Sequence, residues 1–433
     1  MKKNSIHLLV TFILSLIYSY VICMGNSLAQ NVASALYVVY LFVVLATWTW
    51  EVVTEGNLRD LKMRVLLLIP ATHLGILIGF LIGGGAENLL WVVDSYEIHV
   101  PGSVNVANFL QGSEALRTTS SPIDRLYLTH WIIGILFSIL GAGPFVSGLG
   151  LMLVTLLSTW VLYEMAKKIM DEKMATIASL IYATAPTVLF YTLAYYKEAV
   201  IQMLVLCFCY SYVCFTRKQS FLALLGCLVS MFALLSERFY LAPFLASILF
   251  IFILFSRSVR LYAKILVIVM GALMVGIIYK KYHNYYFDFD AIFESLKLAR
   301  GAYNNYSDVN PSYNSELFYP LAFLKIYLTP IFTPNKLSLF HGYSTLLTWG
   351  SFFHQLIAGS MVIGLLIKCF KLKFTDYLLL LPFLLFLALF AYIAPYNGRL
   401  RDSFYPIIAL FTAPTLSFFV SSLRKKISHS SND

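Results

Sequence analysis

Asp94, Glu97 and His99 fall within six residues, directly after a long apolar stretch. At a membrane–water boundary a carboxylate loses part of its hydration, and its pKa rises toward that of a useful general base. Asp94 is the candidate base, with Glu97 beside it. Two carboxylates and an imidazole also make a donor set for a hard divalent metal, which the residues permit and do not require. The plain alternative is solvated loop acids near a helix end. Two further charged pairs, Lys197-Glu198 and Glu237-Arg238, stand at the ends of neighbouring apolar stretches, where charge is expensive unless it pairs or faces water. Lys197 can snorkel to the headgroups and Glu198 can cap the next helix. In the chemical reading, His99, Lys197 and Glu198 are candidates to orient an acceptor or a metal.

Such residues need elements to hold them, and composition says which. The chain has 433 residues, 60% hydrophobic and only 12% charged, which excludes an ordinary soluble protein. A helix needs about 20 apolar residues to cross a bilayer, and about twelve stretches qualify. They lie near 6–24, 32–50, 65–84, 145–166, 174–193, 197–216, 220–236, 239–256, 262–280, 344–367, 375–394 and 403–422. The first is long and lacks a small-residue cleavage site, so it reads as a retained helix. The uncharged run from Trp131 to Tyr163 is too long for one span and too short for two. The Gly141-Ala142-Gly143-Pro144 break divides it into a surface helix, Leu126–Leu140, and a span from about Phe145.

The net charge of +10 would suggest a nucleic-acid partner in a soluble chain, but its placement excludes one. The basic residues fall in short segments between apolar runs: Lys2-Lys3, Arg59 to Arg64, Lys167 to Lys173, Arg217-Lys218, Arg257 to Lys264, Lys368 to Lys373 and Arg424 to Lys426. With the N-terminus inside, all of these are cytoplasmic, as the positive-inside rule requires. Were 126–140 a span, every later basic segment would change sides. Two large loops, 85–144 and 281–343, then face outward. The first is acidic in a basic protein. The second is rich in Tyr and Asn, with Phe289, Ile292, Phe293 and Leu296 on one face of a surface helix. The six cysteines lie in or beside apolar runs and read as small core residues.

Together these pieces resemble the polytopic C-type (GT-C) glycosyltransferases, in the bacterial branch similar to protein mannosyltransferases and lipid A aminoarabinose transferases. The resemblance rests on Asp94-Ser95-Tyr96, Leu128-Thr129-His130-Trp131 through Leu140-Gly141, and Val161 through Lys168. It continues in Ala178 through Pro186, Tyr191 through Glu198, and Gly398-Arg399-Leu400-Arg401-Asp402-Ser403-Phe404-Tyr405-Pro406. It covers about 85–245, is patchy to 400 and is absent over 1–60. Two spans precede the one that leads into the Asp loop, where the family usually has none, and no second acid adjoins Asp94.

The expected architecture is therefore an all-α polytopic membrane protein, GT-C-like, with about twelve transmembrane helices and extracytoplasmic loops carrying amphipathic surface helices. Its parts are two additional N-terminal helices (1–60), a core (61–280) whose first large loop is catalytic, the 281–343 loop, and C-terminal helices with a basic tail (344–433). The resemblance implies transfer of a sugar from a polyprenyl-phosphate donor to an extracytoplasmic glycan, lipid or protein acceptor in cell-surface glycoconjugate synthesis. The short N-terminus and compact loops suit a bacterial inner membrane, with both termini cytoplasmic and the active site outside. A departing lipid phosphate needs fixed positive charge, which Arg399, Arg401 and Arg238 can supply. They can equally be interface anchors. A polysaccharide polymerase or ligase would instead use the second loop, at Arg300 or His341. A lipid-linked sugar flippase would need charges lining mid-membrane, where His73 is the main ionisable group.

Overall fold

The structure is a computed structural model of the full chain. It describes residues 2–54, 58–85, 90, 95–116, 127–238, 240–256, 259, 261, 264–266, 268–269, 271–273, 276, 323–324, 326–328, 342–366, 373–393 and 401–430. Among these the fold is all-helical, with no strand. Among the described residues nine helices are long and apolar enough to cross a membrane, and ten if one bent pair counts as a span.

The elements are α1 (Lys2–Met24), α2 (Ser27–Thr54), α3 (Leu58–Ile82), α4 (Val100–Leu110), α5 (Leu128–Leu140), α6 (Pro144–Ile169), α7 (Glu172–Thr184) and α8 (Pro186–Leu193). They continue with α9 (Glu198–Lys218), α10 (Phe221–Arg238), α11 (Leu241–Phe255), α12 (Thr345–Leu366), α13 (Leu381–Ile393) and α14 (Tyr405–Ser430). Of the twelve expected spans, nine match the long helices and 174–193 is the bent pair α7–α8. The stretch 239–256 folds as the 15-residue α11, shorter than a full crossing. The stretch 262–280 lies largely outside the described residues, as does the expected surface helix at 289–297. The α7–α8 bend of 53° has a local cause. Pro186 has no N–H and crowds the residue before it, so Ala185 is extended at φ −68°, ψ 118°.

The break in the uncharged run is where its residues imply. Helix α5 stops at Leu140, Gly141 takes φ 85°, and Pro144 opens α6 at a position where its missing N–H costs nothing. With 13 residues, α5 is about 20 Å long, too short for the roughly 30 Å hydrocarbon core.

The chain forms two compact units, residues 1–206, 332–371 and 408–433 in the first and 207–331 and 372–407 in the second. In the first unit α1 lies directly on α3 along Gly75, Gly79 and Gly83. A Cβ at Gly79 would stand 2.5 Å from the Leu16 carbonyl oxygen, and one at Gly83 would stand 2.6 Å from Cys23 Cβ. Small residues at this spacing let membrane helices approach closely, and dispersion then supplies the attraction that hydrophobicity cannot supply in lipid. Hydroxyl pairs tie α1 to α2: Thr11 with Tyr40 at 2.6 Å and Ser15 with Tyr37 at 2.8 Å. Ser34 extends the series to Thr345 at 2.6 Å.

At one end of this unit Arg64 pairs with Glu51 at 2.7 Å, Lys62 with Glu164 at 3.2 Å and Lys167 with Glu172 at 3.5 Å. The basic segments around Arg59–Arg64 and Lys167–Lys173 thus share one end, the arrangement their charge anticipates. In the second unit, Arg217 at the close of α9 grips the buried Asp376 with two bonds of 3.0 and 2.9 Å.

Candidate active site

The loop end of the first unit gathers polar groups from four segments. A π-helical turn, Ser95–His99, runs into α4, so His99 is fixed at the helix entrance and is buried. Helix α4 packs on α5 through glycine: a Cβ on Gly102 would stand 2.2 Å from His130 Nδ1, and one on Gly134 would stand 2.7 Å from Val106 Cβ. His130 is the third residue of α5, where a side chain can reach back to the unpaired backbone N–H before the helix. It does so, its Nδ1 accepting from the Tyr127 amide at 3.4 Å.

That contact fixes a proton arrangement. An amide can only donate, so Nδ1 of neutral His130 bears no proton and Nε2 carries it. His130 Nε2 lies 3.2 Å from His99 Nδ1 and therefore donates to it, which places the proton of neutral His99 on its Nε2. His130 is held neutral. Its pKa falls from 6.5 to about 3, first because burial penalises the cation, then because His99 and Lys197 repel it.

The third contributor is the α8–α9 junction. Tyr195 adopts φ 55°, a left-handed conformation that costs a non-glycine residue about 1–3 kcal/mol and tends to mark functional sites. Four bonds hold it there. Ser95 Oγ donates to the carbonyls of Ala194 and Tyr195, the Tyr195 hydroxyl donates to the His99 carbonyl at 3.1 Å, and it also bonds the Ser103 hydroxyl. Two residues on, Lys197 Nζ sits 3.9 Å over the Tyr127 ring, a cation–π contact. Glu198 is fully buried as the first residue of α9, where unpaired N–H groups favour an anion.

Of the residues proposed from sequence, His99, Lys197 and Glu198 thus lie in this unit, and the first two share the same side-chain cluster. Glu97 is exposed on the π-turn. Asp94 and Arg399 lie outside the described residues, as do Arg300 and His341. Arg238 and Arg401 are buried in the second unit and meet at one turn. Arg401 donates to the Tyr327 carbonyl at 2.9 Å and to Asp402 through Nε at 3.1 Å, and Arg238 Nη1 donates to Ser403 Oγ at 2.8 Å. His73 is buried within α3, where its Nδ1 meets the carbonyl of Ile69 at 2.8 Å, a bond within its own helix.

Sequence reasoning quoted Ser95, His130 and Tyr195 without giving them roles and passed over Ser103. The three-residue spacing of Tyr127 and His130 at a helix start was a usable signal. Nothing local signals the backbone of Tyr195, which distant hydroxyls impose.

As for a metal, among the described residues no three His, Cys, Asp or Glu side chains gather at metal-binding range. The two ring nitrogens that face each other in the His99–His130 pair are already bonded together, so this pair offers at most His99 Nε2, and only in the other tautomer.

These features define the class: a polytopic helical membrane protein whose loops hold a polar site at helix ends. Residues 124–279, roughly a third of the chain, match the family model described as dolichyl-phosphate-mannose-protein mannosyltransferase. That match and the many apolar helices support a membrane glycosyltransferase of the GT-C type. No curated protein and no solved structure matches the chain.

Proposed function

We propose that the protein moves a sugar from a polyprenyl-phosphate donor to an extracytoplasmic glycan, lipid or protein acceptor in the making of surface glycoconjugates, working in a bacterial inner membrane with both termini cytoplasmic. The observation that carries this reading is the mannosyltransferase match over 124–279, the segment that supplies Tyr127, His130 and Lys197 to the cluster beside His99.

The reaction is a single displacement. Asp94, next in sequence to the anchored Ser95, accepts the proton of an acceptor hydroxyl. The hydroxyl oxygen bonds to the anomeric carbon while the bond from that carbon to the phosphate oxygen breaks, and its electron pair leaves with the lipid phosphate. Arg399 and Arg238 meet the phosphate charge, and Arg401, whose donors hold Asp402 and the 326–327 carbonyls, fixes the turn from which they act. Glu97 and His99 flank the acceptor, with His99 offering its Nε2 proton, and Lys197 and Glu198 line the same approach. General-base assistance typically contributes about 10²- to 10⁴-fold, and preorganised positive charge a comparable factor.

Asp94→Asn tests it in proteoliposomes supplied with polyprenyl-phosphate sugar. The variant should insert and fold as wild type and lose at least about a hundredfold in turnover. Near wild-type turnover rejects the assignment. Arg238→Lys keeps the charge and loses the planar fork, so the apparent donor KM should rise with acceptor dependence unchanged.

A further inference from the structure

At the opposite end of the first unit from the His99 cluster, the last turns of α14 present two faces. Leu423 and Ile427 are exposed and apolar, and one turn earlier so are Phe418 and Phe419. Ser421, Arg424, Lys425 and Ser428 follow three- and four-residue spacing and so share the other face. That face and Val53 at the close of α2 line an open pocket of about 330 Å³. We infer that this pocket binds the phosphate headgroup of an anionic membrane phospholipid.

Three observations carry the assignment. The first is charge. Three glutamates at this end are engaged, Glu51 by Arg64, Glu164 by Lys62 and Glu172 by Lys167, and Asp171 caps α7, whereas Arg424 and Lys425 form no ion pair among the described residues. Lys173, whose Nζ donates to the Val53 carbonyl at 3.5 Å, adds a third cation at the pocket's edge. The second is shape. The hydroxyls of Ser421 and Ser428 rest on carbonyls of their own helix, at 2.7 and 2.8 Å from Ser417 and Lys425, and leave open the space a longer side chain would fill. The third is depth. Arg424 is five residues beyond Phe419, about 8 Å along the helix, which matches the headgroup layer outside a hydrocarbon core of about 30 Å. A soluble phosphate would satisfy the cations but gain nothing from the apolar face. A phospholipid satisfies both, its phosphate at Arg424 and Lys425 and its chains along Phe418, Phe419 and Leu423. Basic pockets between helix ends at this depth are known lipid-headgroup sites. This inference does not depend on the sugar-transfer reading.

The test uses full-length protein in nanodiscs of phosphatidylcholine doped with phosphatidylglycerol, with bound lipid counted by native mass spectrometry after gentle release. Wild type should retain phosphatidylglycerol selectively. The double variant Arg424→Gln/Lys425→Gln should bind it about thirtyfold more weakly, roughly fivefold for each surface cation. Lys426→Gln, one residue outside the pocket, should retain it. The swap Arg424→Lys/Lys425→Arg separates lost charge from lost folding and should retain the lipid. Equal losses in Lys426→Gln and either pocket single variant would reduce the effect to bulk surface charge and overturn the assignment. So would displacement of the lipid by inorganic phosphate alone, or retention of phosphatidylcholine in its place.

Discussion

Replacing His130 by Gln separates the acid sensitivity of the loop cluster from its fold. In the folded chain His130 titrates at about 3, against 6.5 for an exposed imidazole. Between those values the unfolded chain takes up a proton that the folded chain refuses. The contribution of His130 to stability is therefore complete above about pH 6.5 and is lost as pH falls toward 3, at about 1.4 kcal/mol per unit. Moving from pH 7.5 to pH 5 should cost about 2 kcal/mol through this one residue. The groups facing it are His99, Lys197 and Tyr127, and its site excludes water, so protonation must break the bond to His99 or open the α4–α5 contact. Gln at this helix position can still accept from the Tyr127 amide but cannot titrate. His130→Gln should therefore lose about 1 kcal/mol at neutral pH, for the missing His99 bond, and show a smaller drop on acidification than wild type. Thermal unfolding in detergent at pH 7.5 and 5, followed by intrinsic fluorescence, reads both. If the two proteins lose equal stability between those pH values, His130 is not the buried neutral imidazole described above.

Other consequences are more local. Gly79→Leu places a side chain where the Leu16 carbonyl oxygen already stands, so α1 should separate from α3 at a cost of about 1–3 kcal/mol; an unchanged melting temperature would contradict that packing. Gly102→Ala drives a methyl into His130 Nδ1 and should lower stability while shrinking the acid sensitivity, since the imidazole is displaced toward solvent. Asp376→Ala leaves the half-buried Arg217 without its two-bond partner and should cost about 1–3 kcal/mol, largely restored by also replacing Arg217 with Met, as a double-mutant cycle would measure.

The membrane class, the all-helical fold, most of the spans and the Leu140–Pro144 break were legible in the chain because each follows from local chemistry. Twenty apolar residues are long enough to cross lipid whatever surrounds them, and glycine and proline end helices through their own backbones. The basic segments around Arg59–Arg64 and Lys167–Lys173 likewise signalled that their two connections share an end, since charge cannot stay in hydrocarbon. Tertiary structure alone decided that His130 meets His99 across 31 positions, that Ser95, Ser103 and His99 hold Tyr195 at a positive φ, and that Arg401 spends its donors on Asp402 and a distant carbonyl. These depend on which helices touch. That choice is set by small residues such as Gly79, Gly102 and Gly134, whose effect lies in the space they leave for a partner far away in sequence.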